Sequence, residues 1–255
     1  MARSRYAEQM RRLRALEPRH TAQIRAGLIR QTETVAARLE ALPALPDAAG
    51  IALLAALVRP DWLVAPLAAL YAAAGLPEAQ LEYARLTGLP QKRLLPRFGP
   101  APVAAWAERL RRFVRTEGVA AVRGITDTTR RVVRQVLGEA AAAGSSIPNA
   151  ARALRERIAE LAPRRARLIA RTELLTAQNL GSLLGAEATG LDLRKQWLST
   201  PGARTRPTHS AASGQTVGMR EFFSVGGAAA RYPGDVLLPA NERCNCRCSV
   251  VYVPA

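Results

Sequence analysis

The chain of 255 residues carries 37 Lys and Arg residues against 20 Asp and Glu residues, a formal net charge of +17 at pH 7. This excess is too large for an ordinary solvated surface and favours an anionic partner, with nucleic acid as the first candidate. Aromatic residues make up only 5% of the sequence, which predicts thin helical cores and excludes a thick β-rich core. Nearly all of the positive charge is arginine, which binds phosphate or carboxylate in a bidentate manner. A biased genome composition would also favour Arg over Lys, but it does not explain the net charge.

Neither a secretory signal peptide nor a membrane span is predicted. The first fourteen residues are basic and polar, and no apolar run follows them. The most apolar region, 51–76, is interrupted by Pro60 and Pro66, so we expect a soluble protein with no membrane partner. The three cysteines all lie within positions 244–248, which is incompatible with a secreted disulfide framework and indicates a reducing compartment.

The elements predicted in the amino-terminal half are helices. Residues 1–41 carry apolar positions at helical spacing among many arginines, which predicts one or two amphipathic helices with a basic outer face. Residues 48–89 predict short helices separated by prolines. The proline-rich run 89–102 predicts a linker, and residues 103–114 predict a helix with one apolar face.

Three helices are predicted in the central region. The first begins at residues 125–128, where Thr and Asp are good caps, and ends at Gly144. The second begins near residue 147 and runs to about residue 161. Pro163 then begins the third, which ends at Gly190.

From residue 191 onward the helical period is lost, and short strands alternate with turns rich in Gly and Pro. The fold class is therefore α+β, with a mostly helical amino-terminal and central region and a small β-containing carboxy-terminal domain. The predicted strands are 193–198, 221–225 and 249–253. The predicted domains are a helical, arginine-rich region (1–98), a helical central region (99–190) and a β-containing knob (191–255).

His209 and the cysteines Cys244, Cys246 and Cys248 form the candidate metal site. Zinc takes four N or S ligands in a tetrahedron, and a small domain with little apolar core gains stability from such an ion. The Cys-x-Cys-x-Cys spacing differs, however, from the looped Cys-x-x-Cys of most zinc knuckles. Two other interpretations stay open: buried thiols that pack as small apolar groups, and a disulfide between Cys244 and Cys248. No cofactor other than a structural zinc is suggested.

Two patterns raise the question of catalysis. His209 with an acidic residue suggests a metal-dependent nuclease, yet the only other histidine, His20, is remote in the sequence. Arg171 and Glu173 suggest an ADP-ribosyltransferase-like site, but two such positions on a helix point about 200° apart. We therefore predict that the chain is not an enzyme and has no small-molecule substrate. The acidic residues considered with His209 are Asp235, Glu221 and Glu242.

Arginines of the carboxy-terminal region form the candidate nucleic-acid site. Such a group would contact phosphates without reading the base sequence, and its affinity would fall steeply as salt rises. Alternatively, some guanidinium groups are buried and bond to carbonyls that the irregular backbone leaves unpaired, and we expect Arg206 to point inward. The sequence has no helix-turn-helix, zinc-finger or aromatic stacking pattern. The predicted phosphate-binding residues are Arg194, Arg204, Arg220, Arg231 and Arg243, with Arg247 nearby.

Seven short motifs follow one another from residue 169 to residue 248. They are Ile169-Ala-Arg171-Thr-Glu173, Ala177-Gln-Asn179, Trp197-Leu-Ser, Arg204-Thr-Arg206-Pro-Thr-His209, Gly214-Gln, Tyr232-Pro-Gly-Asp235 and Asn245-Cys-Arg-Cys248. In this order they resemble the phage Mu F-like minor head protein domain, over about residues 125–255. One departure is Gly202, which stands where the family usually has an acidic residue, two positions before Arg204.

The resemblance implies a structural virion protein of a tailed double-stranded DNA phage, which acts in head morphogenesis. It would be assembled in the host cytoplasm and reside in the head interior near the portal. The implied partners are the portal protein and the major capsid or scaffold proteins, and the net charge adds non-specific contact with packaged double-stranded DNA. The alternative is a phage-borne effector enzyme. The residues implied to form the structural signature are Arg171, Glu173, Asn179, Trp197, Arg206, Asp235 and Asn245.

Overall fold

The computed structural model describes residues 2–88, 101–200 and 202–255 and has the expected α+β organisation. Most of the predicted linker, 89–100, lies outside the described residues, and its last two positions begin a helix. The long helices are α1 (Ala2–Glu40), α2 (Ala48–Ala56), α3 (Asp61–Thr87), α4 (Ala101–Arg115), α5 (Val119–Ala142) and α6 (Ile147–Glu187).

Short strands and two short helices follow α6. Strand β1 lies between β2 and β5 in an antiparallel sheet, with Lys195 opposite Val217 and Tyr252, whereas β3 and β4 form a separate hairpin. The predicted strands at 193–198 and 249–253 are confirmed almost to the residue. The elements are β1 (Leu193–Leu198), α7 (Pro207–Ala212), β2 (Thr216–Gly218), β3 (Phe223–Val225), β4 (Ala228–Ala230), α8 (Ala240–Arg243) and β5 (Ser249–Pro254).

The chain forms two compact units, each assembled from separate stretches of sequence. The larger unit contains Met1–Pro18, Leu67–Gly118 and Ala170–Ala255, and the smaller contains Arg19–Pro66 and Val119–Ile169. Helices α1, α3 and α6 each contribute residues to both units. The domains predicted from the sequence, 1–98, 99–190 and 191–255, stay a prediction beside this division into two units.

Two predicted helix boundaries in the central region are wrong. Helix α5 begins at Val119, and Thr126 lies inside it, with its hydroxyl bonded to the Val122 carbonyl at 2.8 Å instead of capping the helix. Helix α6 continues through Pro163, where the sequence predicts a new helix. A proline inside a helix removes one backbone bond, but the buried Ala162 and Ala166 on either side keep this turn packed.

By length and mean hydropathy alone, the stretch Ala48–Thr87 could cross a membrane. Core helices of soluble proteins have the same length and hydropathy, so composition does not decide between the two. Pro60 separates α2 from α3, as expected, but α3 continues through Pro66 and Pro77, where the sequence predicts breaks.

Glycines allow α3 and α6 to touch through their backbones in the larger unit. A Cβ atom added to Gly181 would lie 2.1 Å from the Gly75 carbonyl oxygen, and one added to Gly185 would lie 2.3 Å from that of Ala79. Real side chains essentially never approach so closely, so this contact requires glycine at both positions of α6. The contact fixes the carboxy-terminal half of α6, against which the strand region packs.

The smaller unit buries its core between helices and keeps its arginines outside. Helix α2 packs against α5, and Trp62 lies against Gly27, where an added Cβ would collide with the ring at 2.1 Å. On the surface, Arg155 binds the carboxylates of Glu33 and Glu40 at distances as short as 2.6 Å. This arginine ties α6 to α1 within the unit.

Candidate functional site

A buried cluster of His209, Cys246 and Cys248 is the main candidate site. The His209 Nδ1 atom lies 3.3 Å from Cys248 Sγ and 3.6 Å from Cys246 Sγ. All three potential ligand atoms lie within 4.8 Å of one another. The three side chains are at most 4% exposed, so the cluster is shielded from bulk solvent.

The short helix α7 fixes the position of His209. Pro207 begins this helix, where its fixed φ angle and missing N–H cost nothing. His209 and Ala212 form the buried face of α7. The His209 ring also meets the Trp197 ring edge to face, with centroids 5.7 Å apart, so β1 restrains the imidazole from a second side.

The two clustered cysteines come from the extended segment that leads into β5, whereas Cys244 does not join them. Cys244 ends α8 and is only half-buried. The chain then turns at Asn245, whose φ of 56° lies in the left-handed region that Asn tolerates better than most residues. Of the four ligands predicted from the sequence, three therefore converge in the described part of the chain, and Cys244 is not one of them.

The pKa values of the two cysteine thiols are shifted in opposite directions. Cys246 Sγ accepts a hydrogen bond from the Cys248 backbone N–H at 3.4 Å. The pKa of Cys248 is lowered because the Cys246 thiol donates to it and His209 lies beside it. The same thiol–thiol contact, together with burial, raises the pKa of Cys246. The cluster thus favours one thiolate, at Cys248.

A buried carboxylate lies on the far side of the imidazole. Glu242 Oε2 is 3.0 Å from His209 Nε2, although the N–H direction is poorly aligned for a hydrogen bond. The same oxygen accepts a hydrogen bond from the Thr208 hydroxyl at 2.8 Å. From the sequence, Glu242 is a candidate only as a nuclease residue. Its place beside His209 Nε2 is not predictable, because it depends on the turn at α8.

A cavity of about 620 Å³ opens beside the cluster and is lined by arginines. Arg206 points inward, as predicted, and donates to the Cys244 carbonyl at 2.6 Å. Arg171 donates to Glu17 at 2.8 Å and is still 42% exposed. The cavity is therefore electropositive, and it is lined by His209, Cys246, Cys248, Arg171, Arg204, Arg206 and Arg247, among others.

Glu173 belongs to a buried ion pair that supports the fold. Both of its carboxylate oxygens accept from Arg243 Nη2 at 2.8 Å, and the Tyr71 hydroxyl donates to Oε2 at 2.9 Å. Burial and the neighbouring Glu173 carboxylate raise the pKa of Tyr71. Arg243, which the sequence predicts to bind phosphate, is only 8% exposed, so little of its side chain is accessible.

A second ion pair surrounds Asp235, which is fully buried. Arg231 donates to Asp235 from its backbone N–H and its guanidinium group, and it also binds Glu117 at 2.6 Å. Arg231, which the sequence predicts to contact DNA, is thus paired with two carboxylates. Nearby, the buried Lys195 donates to the Arg231 carbonyl at 3.0 Å, and burial lowers its pKa to about 8.

Other residues of the predicted signature also make internal contacts. The Asn179 amide donates to the carbonyls of Pro233 at 2.9 Å and Cys248 at 3.2 Å. The Asn245 backbone N–H donates to the Thr172 hydroxyl at 3.2 Å. These bonds tie the loops on either side of α8 to α6, which is a role in the fold.

The exposed arginines differ in part from the predicted set. Arg194, Arg204 and Arg220 are exposed and form no ion pair within the described residues. Further arginines of the smaller unit are exposed and equally unpaired there, although the sequence does not single them out as site residues. They include Arg123, Arg131, Arg134, Arg164 and Arg167.

The family's usual acidic position is occupied by Gly202 in an exposed turn. Its φ is 132°, a conformation that residues with a side chain rarely adopt. An acidic residue at this position would therefore require a different backbone turn. The difference concerns the loop that borders the cavity, because Gly202 is one of the lining residues.

Comparison with known proteins assigns the carboxy-terminal half. Residues 131–251 match the model of the family described as Phage Mu protein F like protein. The chain is 32% identical to the minor head protein GP7 of Bacillus phage SPP1 over 124 residues, which is 48% of this chain and 40% of that protein. It is 34% identical to an NAD(+)–arginine ADP-ribosyltransferase of Enterococcus faecalis over 113 residues, 43% of this chain and 23% of that protein.

No solved structure gives a significant match to the chain. The chain spans less than half of the length of each of these two relatives. The family match over residues 131–251 includes α6 from its start, strands β1–β4 with the first half of β5, the His/Cys cluster, and the buried pairs Glu173–Arg243 and Asp235–Arg231. The similarity to the Phage Mu F-like family thus covers residues 131–251 of this chain.

Proposed function

We propose that this chain is a structural component of the head of a tailed double-stranded DNA phage and acts in head morphogenesis. The observation that carries the proposal is the 32% identity over 124 residues to a protein named as a minor head protein. We place the chain in the head interior near the portal, with the portal protein and the capsid or scaffold proteins as partners. Residues ahead of the family domain would form the adaptor to those partners.

The contacts of the signature residues favour a structural role. Glu173 and Asp235 are saturated by arginines, and Asn179 bonds to two backbone carbonyls. Side chains that are fully used in this way hold loops together and have no free atom to offer a substrate. We therefore propose that the domain is not an enzyme.

The similarity to an ADP-ribosyltransferase supports a second candidate function, an effector enzyme. Only 23% of that protein is covered by the match, so the shared stretch need not include its catalytic part. In this chain Arg171 pairs with Glu17, whereas Glu173 pairs with Arg243. The two residues that suggested such a site thus serve separate ion pairs, and we rank this function second.

Contact with packaged DNA is a further part of the proposal. It rests on the net charge of +17 and on exposed arginines that are not neutralised by carboxylates within the described residues. Such groups bind phosphate without sequence preference, and they release counterions as they do so. DNA in a phage head presents phosphates at high density, so many weak contacts of this kind would suffice.

The test is mass spectrometry of purified phage particles, and of their DNA-free precursors, from a strain that carries the gene. We expect the chain in both kinds of particle, and we expect tagged protein to co-purify with the portal protein of the same phage. Absence from the particles would contradict the head assignment. Presence without portal binding would contradict only the location.

A further inference from the structure

The distances within the His/Cys cluster match those that a tetrahedral zinc ion imposes. Zinc bonds of about 2.3 Å to sulfur and 2.0–2.1 Å to nitrogen place an N and an S ligand about 3.5 Å apart. The two distances from His209 Nδ1 to the sulfur atoms are 3.3 Å and 3.6 Å. Two edges of one face of such a tetrahedron are thus already present, and the two sulfur atoms lie within 4.8 Å of each other.

The surroundings of His209 fit a metal-bound imidazole. Ligating histidines usually present their second nitrogen to a carboxylate, which fixes the tautomer and the ring orientation. Glu242 Oε2 is 3.0 Å from His209 Nε2, and a small rotation of either group would align them as a hydrogen bond. With the proton on Nε2, the Nδ1 lone pair points toward the two sulfur atoms.

The cluster is also held in place without a metal. Asn179 binds the Cys248 carbonyl, and the Trp197 ring packs edge to face on the imidazole. Because these groups are fixed by the fold, the loss of conformational entropy when an ion binds is small. Two sulfurs and one imidazole suit zinc, whereas magnesium and calcium require oxygen ligands.

We propose that His209, Cys246 and Cys248 bind one zinc ion through Nδ1 and the two Sγ atoms, with the fourth coordination position open to the arginine-lined cavity. The ion binds both cysteines as thiolates, so any proton that remains on a thiol passes to solvent, and the two thiolates balance the two charges of the ion. The fourth ligand is water or a small anion, because the cavity beside the cluster is lined by Arg204, Arg206 and Arg247. This site goes beyond the proposed head function and does not depend on it.

The experiment measures metal content and cobalt spectra of the full chain, purified anaerobically in the presence of a reductant. Elemental analysis of protein expressed with added zinc is expected to find one zinc per chain after dialysis. Replacement of zinc by cobalt is expected to give a thiolate-to-cobalt absorption band with the intensity of two thiolates. A folded wild-type protein without stoichiometric zinc or cobalt overturns the proposal.

Cysteine variants identify the ligands, with Cys244 as the matched control. Cys246→Ser and Cys248→Ser are each expected to lower the cobalt–thiolate band by at least half, and Cys244→Ser is expected to leave it unchanged. A band that falls in Cys244→Ser as much as in the other two would overturn the three-ligand set. Glu242→Gln is expected to weaken zinc affinity about 10–100-fold while the cobalt spectrum keeps its shape.

Two further readouts keep the test informative if a cysteine variant fails to fold. Zinc is expected to raise the melting temperature of wild-type and Cys244→Ser protein, and a chelator is expected to reverse this. Added azide is expected to shift the cobalt spectrum, because an open position can exchange its ligand. An unchanged spectrum at high azide would show that the fourth position is closed and would overturn that part of the proposal.

Discussion

Individual arginines in this chain serve two different purposes that the sequence does not separate. Arg243 is 8% exposed and holds Glu173 in the core, whereas Arg134 is exposed on α5. Charge counting treats the two residues alike. Which purpose an arginine serves depends on whether a carboxylate from a distant part of the chain meets it, as Glu173 meets Arg243 across 70 positions.

At the residue scale, we predict that Arg243→Met destabilises the protein by about 3–5 kcal/mol, the usual range when one partner of a buried ion pair is removed. The change leaves the Glu173 carboxylate buried with only the Tyr71 hydroxyl as a polar partner. Urea unfolding followed by circular dichroism measures the free energy of unfolding.

The matched control is Arg204→Met, since Arg204 is exposed and unpaired within the described residues. It is expected to change the free energy of unfolding by less than about 0.5 kcal/mol. The double replacement Glu173→Leu with Arg243→Met should recover much of the stability, because no charge is then left unpaired. Equal effects of Arg243→Met and Arg204→Met would contradict the buried pair.

At the scale of elements, the sequence predicts strands better than helix boundaries. Strands β1 and β5 are recognisable because turns rich in Gly and Pro isolate them from the helical pattern. The continuity of α6 through Pro163 is not predicted, because local signals favour a break there and only packing against other elements overrides it. Residues 181 and 185 likewise look like weak helix positions until α3 is placed beside them.

We predict that Gly181→Ala destabilises the larger unit even though alanine is the better helix former. The new methyl group would lie 2.1 Å from the Gly75 carbonyl oxygen, and the required shift of two backbones costs about 1–3 kcal/mol. This exceeds the gain of about 0.8–1.0 kcal/mol in helix propensity. Thermal unfolding of the variant should therefore show a lower midpoint.

Gly138→Ala in α5 is the matched control for this substitution. No atom lies within 4 Å of the position that its Cβ would occupy, so only the propensity gain of up to about 1 kcal/mol remains. We expect the midpoint to rise or to stay unchanged. If both variants shift the midpoint in the same direction, the close approach of α3 and α6 is not the reason for the glycine.

For the molecule as a whole, the sequence predicts the site residues with mixed success. His209, Cys246 and Cys248 are candidates because their chemistry is rare in this chain, and they meet in space. Cys244 is a candidate by spacing alone, and the turn at Asn245 separates it from the others. The arginines are the least predictable, because their roles depend on tertiary ion pairs.

We predict that DNA binding depends on exposed arginines of the smaller unit. A variant with Arg131, Arg134, Arg164 and Arg167 changed to Ala should bind double-stranded DNA more weakly at low salt. The slope of log affinity against log salt should fall by about 0.9 for each phosphate that the variant no longer neutralises. A filter-binding titration across salt concentrations measures both quantities.

The control removes the same number of charges from arginines that are already paired. Arg109, Arg111, Arg155 and Arg157 bind Glu187, Glu108, Glu33 and Glu160, respectively. Their replacement by Ala is expected to reduce the salt slope less than the first variant does. Equal salt slopes of the two variants would mean that only net charge matters. If the wild-type protein retains no DNA even at low salt, DNA binding is contradicted altogether.

The discontinuous make-up of the two units bears on how the protein is made. On the ribosome, every residue of the smaller unit is present once position 169 has emerged, whereas the larger unit needs β5, which pairs with β1 from Leu193 to Leu198. Domains that are complete early tend to fold first during synthesis. A translation product that stops before residue 249 would lack the strand that closes the sheet, together with both clustered cysteines if it stops before 246. Such an interrupted chain could complete the smaller unit but not the larger one.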